Sequence, residues 1–360
     1  MGKKIDIQKI LKQKTPLIDK KIEEFIPRKF NEAKLEFIAG KPSYKYDVDA
    51  ITKAISLPVW DFLDRGGKRW RPTLFLLFLE ALGKNPEKYI DFVLIPELLH
   101  NGSIIIDDIE DMSEERRGKP ALHKIFGEDI AINAGNCLYY LSLLPLLKNR
   151  AKLDQKTLLK IYEMYAQEMI RIHLGQATDI AWHRGLASAN EISEEEYLEM
   201  CSNKTGCISR VAAKLAAIIA GKSDEEIEKI GKFAEMIGIA FQIQDDILNL
   251  VGEEFARGKG GLGEDITEGK RSLLVIHTLK KANERDRNRL IEILEMHTTD
   301  QRIRNEAIDI IKKYHSIEYA KERARELVMK AWNDIDKILP ASKAKEELRA
   351  FAYYLIERKI

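Results

Sequence analysis

Between Pro145 and Pro340 the chain contains no proline. Proline lacks a backbone donor and breaks helices, so this tract can wind as one helix after another. Its apolar residues recur at helical spacing, as in Ile208, Val211, Ala212, Leu215, Ile218 and Ile219. Alternating strand patterns bounded by turn signals are hard to find. Breaks fall at 40–43, 83–86, 117–120, 185–190, 221–224 and 258–269. Ser193 with Glu196, and Ser223 with Glu226, have the spacing of capping boxes. The pattern predicts a single all-α helical bundle of roughly ten or more helices. Residues 51–360 are expected to form its main domain, with 1–50 as an N-terminal helical extension packed on it. No linker composition supports a split near residue 150.

Composition narrows the function classes. The 59 Lys and Arg against 58 Asp and Glu leave a net charge of +1, which speaks against a nucleic-acid binder held by bulk charge. Charge chemistry must then come from local clusters. Cys137, Cys201 and Cys207 form no CxxC pair, so neither a disulfide framework nor a zinc site is expected, and a reducing, cytoplasmic setting fits. MGKKIDIQKILKQK has no apolar signal core. Asp6 stands where a myristoylation pattern needs Ser or Thr. Apolar stretches such as 138–147 are too short to span a bilayer, so no integral membrane segment is expected.

The segment SIIIDDIEDMSEERRGKP raises the question of chemistry. It continues a predicted helix that begins near Ile90. Asp107 and Asp111 are four residues apart and share one face, with Asp108 beside them. Like charges at that spacing weaken a helix, and an apolar approach strips their hydration. A hard divalent cation compensates, because Mg²⁺ takes a few carboxylates and fills its other positions with water and phosphate oxygen. The alternative is a solvated helix end. FQIQDDILNLVGEE repeats the design with Asp245 and Asp246, with Asn249 where a third aspartate would match and Glu253 further along the face. Two acid-ended helices in one bundle fit a metal cluster between facing helices.

Bases adjoin both clusters. GGKRWRP supplies Lys68, Arg69 and Arg71 next to a glycine pair, and Arg116 and Arg117 follow the first acids. Lys204, Thr205, Lys259 and Lys270 lie around the second. Fixed bases with Mg²⁺ suit a pyrophosphate, to which arginine offers a two-pronged fork. His100, two turns before Asp107 on the same face, could donate to a phosphate oxygen. Singly, each base is a common surface feature.

Together these motifs resemble the trans-type isoprenyl diphosphate synthases, or polyprenyl synthetases, and among them the geranylgeranyl diphosphate synthases. The resemblance runs from about Leu57 to Leu279 through GGKRWRP, DDIED with RRGKP, GQATD (175–179), KTG (204–206), FQIQDD and GEDITEGK. It implies the isoprenoid synthase fold around a deep central cavity, a homodimer, and three Mg²⁺ per site, with Mn²⁺ as a substitute. The implied reaction joins isopentenyl diphosphate to an allylic diphosphate. By position, the resemblance gives Asp107, Asp108, Asp111 and Asp245 to metal. It gives Arg116, Lys204, Thr205, Gln242, Lys259 and Lys270 to the allylic diphosphate, and Lys68, Arg71, His100 and Arg117 to isopentenyl diphosphate. Gln176 and Asp179 would border the reacting centre. Asn249 departs from the pattern in place of an acid.

The implied chemistry needs no protein nucleophile. Pyrophosphate leaves, the resulting allylic cation is attacked by the double bond of isopentenyl diphosphate, and a proton is lost. Water must be excluded. The acids then bind the head group while the apolar helix behind them lines a dry tunnel for the tail. Gly102 and Ser103, four to five residues before Asp107, leave little side-chain volume, with Leu99 and Pro96 deeper and Tyr139 or Tyr140 as a closing wall. This predicts a product longer than C15, with C20 first and C25 or longer as the alternative, and a shorter one from Gly102→Phe. The alternative at Gly102 is close packing against another helix.

Two rival readings remain. Asp245, Asn249 and Glu253 also resemble the metal triad of class I terpene cyclases, although Lys68, Arg71 and Arg117 would give such an enzyme a second diphosphate site it does not need. A non-catalytic subunit of a hetero-oligomeric synthase is the other, kept open by Asn249 and weakened by the intact first motif.

Overall fold

The computed structural model describes residues 5–187, 191–252 and 262–357. Helices dominate, and the strands among the described residues, β1 (Glu115–Arg116) and β2 (Lys119–Pro120), form one short antiparallel hairpin. The described residues fall into two compact units. The first takes those up to Tyr162, with Leu215–Lys222 and Ser342–Lys345. The second takes Glu163–Lys214, Ser223–Ala341 and those from Glu346 on.

In the first unit, α1 (Ile7–Phe25) starts at Asp6, whose side chain accepts from Lys9 N at 3.0 Å. It buries Ile7, Leu11, Ile18, Ile22 and Phe25, one apolar stripe, and packs on the buried α3 (Trp70–Ala81). Between them in sequence lies α2 (Leu57–Asp64). The acid-bearing helix α4 spans Leu94–Glu110. Its start differs from the sequence expectation near Ile90, because Pro86–Val93 winds as a 3₁₀ turn with a kink at Tyr89. α4 packs closely along α5 (Glu128–Leu141).

In the second unit, α6 (Gln155–His183, from Glu163 on) is followed by α7 (Glu194–Cys201). A π turn, Ser202–Gly206, joins α7 to α8 (Cys207–Ile219, here up to Lys214). The long α9 (Asp224–Val251) carries the second acid pair. Both predicted capping boxes form, at Ser193 with Glu196 and Ser223 with Glu226, and they start α7 and α9. α9 buries Ile227, Ile230, Phe233, Ile237, Ala240 and Ile247, largely against α10 (Ser316–Ile335), where Phe233 meets Trp332 edge-on at 5.4 Å. Each large apolar side chain buried this way contributes about 1.5–3 kcal/mol.

By length and composition alone, Pro86–Glu110 and Glu128–Asn149 are long and apolar enough to cross a membrane. Most of each apolar window is buried within the protein, so these residues serve the core.

Candidate active site

α4 delivers its acids as a helix must, with adjacent residues about 100° apart around the axis. Asp107 and Asp111 are half-buried, whereas Asp108 is fully buried. Asp108 Oδ1 accepts from Arg116 Nε at 2.7 Å, and Arg116 Nη2 lies against the same oxygen. Burial pushes the Asp108 carboxyl up, and Arg116 opposes the shift. Asp108 therefore anchors the arginine hairpin, and Asp107 with Asp111 forms the accessible acid pair. Two hard carboxylates one turn apart suit Mg²⁺, which needs few protein ligands beside water and phosphate oxygen. Among the described residues no three acids, histidines or cysteines form a ready-made cage.

The hairpin aims the bases. Arg65, at the end of α2, donates to Arg116 O at 3.2 Å and Pro120 O at 2.8 Å, holding both strands. Arg117 donates to Gly66 O at 2.6 Å and lies over the Phe62 ring at 4.8 Å. Gly66 and Gly67 have φ of +90° and +147°, a backbone that requires glycine, and a Cβ at 67 would come within 3.0 Å of Arg69 Nη1. Burial, with Arg69 and Arg116 nearby, pushes Arg117 down to about 10 against the pull of Glu97. Arg71 Nη1 donates to His100 Nε2 at 2.9 Å. Burial and then Arg71 and Arg117 hold His100 well below its usual value, so the imidazole is neutral. Lys68 is exposed on the same loop. The result is a crowd of fixed positive charge that favours an anion.

Gly102 does not open space for a tail. A Cβ there would lie 2.8 Å from Gly135 O and 3.1 Å from Tyr139 Cε1, so α5 already fills the position. Position 102 is about 140° round the helix from Asp107, whereas Ser103 is about 40° away. Ser103 is half-buried and donates to His100 O at 2.9 Å, and Leu99 is buried. Tyr139 is nearly buried beside Gly102, while Tyr140 is 75% exposed.

In the second unit, glycines permit close backbone approach. A Cβ at Gly175 would collide with Lys204 N, and one at Gly238 would lie 2.7 Å from Gly206 Cα. α6, the π turn and α9 thus meet closely around Lys204 and Thr205. Lys204 Nζ is 2.6 Å from Asp179 Oδ2, and Gln176 is half-buried one turn before Asp179. Thr205 Oγ1 donates to Gln242 Oε1 at 2.9 Å, and Gln242 Nε2 donates to Asp246 Oδ1 at 2.9 Å. The Tyr197 hydroxyl donates to Asp246 Oδ2 at 2.8 Å. Burial and the neighbouring Asp265 push Asp246 up to about 7. Asp246 is therefore a buried anchor, and Asp245 beside it is half-buried. Asn249 accepts from Asp265 N at 3.2 Å through its side chain and from Gly263 N at 2.9 Å through its carbonyl, latching the following segment. Lys270 pairs with Asp265 at 3.6 Å and with Glu268. Glu253 and Lys259 lie outside the described residues.

Sequence reasoning missed Tyr197 and Arg65, which touch partners 49 and 51–55 positions away. It also passed over Glu97, although a lone acid inside LIPELLH signals a buried partner.

The sequence model of the family Polyprenyl synthetase matches residues 52–311. A short chain isoprenyl diphosphate synthase of Methanothermobacter thermautotrophicus is 37% identical over 294 residues, 82% of this chain and 87% of that protein. A geranylgeranyl diphosphate synthase of Saccharolobus solfataricus is 32% identical, again over 82% of this chain and 87% of that protein. The crystal structure of a geranylgeranyl pyrophosphate synthetase from Pyrococcus horikoshii superposes with a TM-score of 0.83 at 34% identity, covering 98% of each chain. With two acid-ended helices, arginine-rich anion groups and this likeness of sequence and fold, the chain belongs to the polyprenyl synthetase family and is an all-α prenyltransferase of the isoprenoid synthase fold.

Proposed function

We propose that the protein condenses isopentenyl diphosphate with an allylic diphosphate and releases pyrophosphate, with all-trans geranylgeranyl diphosphate (C20) as product. The observation that supports this reading best is the group of buried Arg71 with half-buried Arg117 and neutral His100 beside the GG loop. It gives the chain a diphosphate site additional to the one its acids and Lys204 serve, which a terpene cyclase would not need. The relatives bearing geranylgeranyl and short-chain names support the product class.

Asp107, Asp111 and Asp245 would hold Mg²⁺, three ions per site with Mn²⁺ as a substitute. When bound, the metal supplies charge neutralisation for the leaving pyrophosphate. Lys204, Thr205 and Gln242, with Arg116, Lys259 and Lys270, hold the allylic diphosphate and favour its departure. Lys68, Arg71, His100 and Arg117 hold isopentenyl diphosphate so that its double bond reaches the allylic cation. A neutral His100 donates a hydrogen bond without adding charge. Proton loss, to the departing pyrophosphate, completes the product. The enzyme acts as a cytoplasmic homodimer.

Purified protein with Mg²⁺, isopentenyl diphosphate and dimethylallyl, geranyl or farnesyl diphosphate tests the reading by chromatography. Geranylgeranyl diphosphate is expected. Hydrocarbon from an allylic substrate alone would replace the reading with a cyclase, and absence of any product with a non-catalytic subunit.

A further inference from the structure

Glu97 is 2% exposed inside an apolar run and has no part in the chemistry described above. Its Oε1 accepts from Arg69 Nη1 at 2.9 Å and from Asn101 Nδ2 at 2.7 Å. An amide has one donating end and one accepting end. Pinning Asn101 Nδ2 to Glu97 turns its Oδ1 toward Arg117 Nη2, at 3.3 Å. Arg69 is held on its other sides by Asp19 Oδ1 at 2.8 Å and Leu63 O at 3.1 Å. These partners keep Arg69 at φ 45°, a left-handed conformation that is strained for a non-glycine residue. The contacts form one path from α1 to the base of the diphosphate group. Asp19 lies outside the residues that match the family.

We propose that Asp19, Arg69, Glu97 and Asn101 are positioning residues that orient the Arg117 guanidinium toward a diphosphate, which makes helix α1 part of the substrate-binding apparatus. The inference rests on the reading of Arg117 as a ligand of isopentenyl diphosphate. Glu97 also offsets the repulsion between Arg69 and Arg117, so both can stay buried and aimed.

The test is calorimetric titration of isopentenyl diphosphate into the full-length protein in EDTA, alongside two-substrate kinetics with Mg²⁺. Asn101→Leu should weaken binding about tenfold, the scale of one hydrogen bond to a charged group. Asp19→Asn, which removes the charge of a 41% exposed side chain and leaves α1 in place, should weaken it about threefold. The KM for isopentenyl diphosphate should rise in step, while kcat and the allylic KM stay at wild-type values. Lys14→Met breaks a different α1 ion pair, Lys14–Glu80 at 3.5 Å, and should leave binding unchanged. Wild-type affinity in both Asp19→Asn and Asn101→Leu overturns the proposal, as does equal weakening by Lys14→Met. Affinity is read without turnover. A wild-type protein that binds isopentenyl diphosphate yet yields no prenyl product would remove the condensation reading, and the affinity comparison would still decide the relay.

Discussion

A Cβ placed on Gly102 would sit 2.8 Å from the carbonyl oxygen of Gly135, so α4 and α5 touch backbone to backbone beneath the first acid cluster. Backbone cannot swing aside as a side-chain tip can. Gly102→Phe is therefore expected to lose stability by at least the 1–3 kcal/mol typical of overpacking, seen as a lower thermal midpoint, before any clean change in product. Ser103→Phe, on the Asp107 side of the helix, should instead shorten the product. Chain-length analysis by radiochromatography distinguishes the two.

His100 predicts an acid limb in stability. The unfolded chain takes a proton on this residue near pH 6.5, whereas the folded protein resists it to a lower pH because of burial and the Arg71 and Arg117 charges. The unfolded state thus binds more protons, and stability falls as pH drops below about 6.5 toward the folded value. Denaturant midpoints from pH 7.5 to 5 should decline less steeply in His100→Gln than in wild type. Bound isopentenyl diphosphate should raise the His100 value, measured by NMR titration.

Arg210 is a test of buried charge. Its Nε donates to both carboxylate oxygens of Glu168 at 2.9 and 2.8 Å, and its Nη1 donates to Glu235 at 2.6 Å and Ser202 at 3.2 Å. Arg210→Met removes the buried cation shared by Glu168 and Glu235, leaving Arg171 and Lys214 beside the first and Lys232 beside the second, and should cost about 3 kcal/mol. Replacing Arg210, Glu168 and Glu235 together by apolar residues of similar size should recover most of that loss in chemical denaturation.

Lys204 is the predicted electrostatic partner of the leaving group. Lys204→Met should lower kcat/KM for the allylic diphosphate about a hundredfold, since a charge-assisted hydrogen bond contributes about 1.5–3 kcal/mol. The affinity for isopentenyl diphosphate in EDTA should not change. A loss shared equally by both substrates would count against this assignment.

What the sequence disclosed was local. The capping boxes at Ser193 and Ser223, the GG turn at Gly66 and Gly67, and the two acid-ended helices each follow from neighbouring residues. The division of labour inside each acid pair did not, because it depends on which face of the helix meets the core. Asp107 and Asp245 stay half-buried, while Asp108 turns to Arg116 and Asp246 to Tyr197 and Gln242. At Gly102 the alternative of close packing against another helix is the one that matches the approach to Gly135, because counting back along a helix also rotates it. Asn249 read in the sequence as a departure from the acid pattern, and its contact with Asp265 N becomes visible only in three dimensions.

The π turn at Ser202–Gly206 has a bearing on how related chains should be compared. Its wider winding accommodates one residue beyond regular α-helix. Removing a single amino acid there would close the turn to regular α-helix and leave the two flanking helices joined and in phase. The lysine–threonine pair carried by the turn itself would be drawn away from Asp179 and Gln242. A one-position gap at this point in an alignment would signal a changed set of contacts for that pair, where the same gap in a surface loop would mean almost nothing.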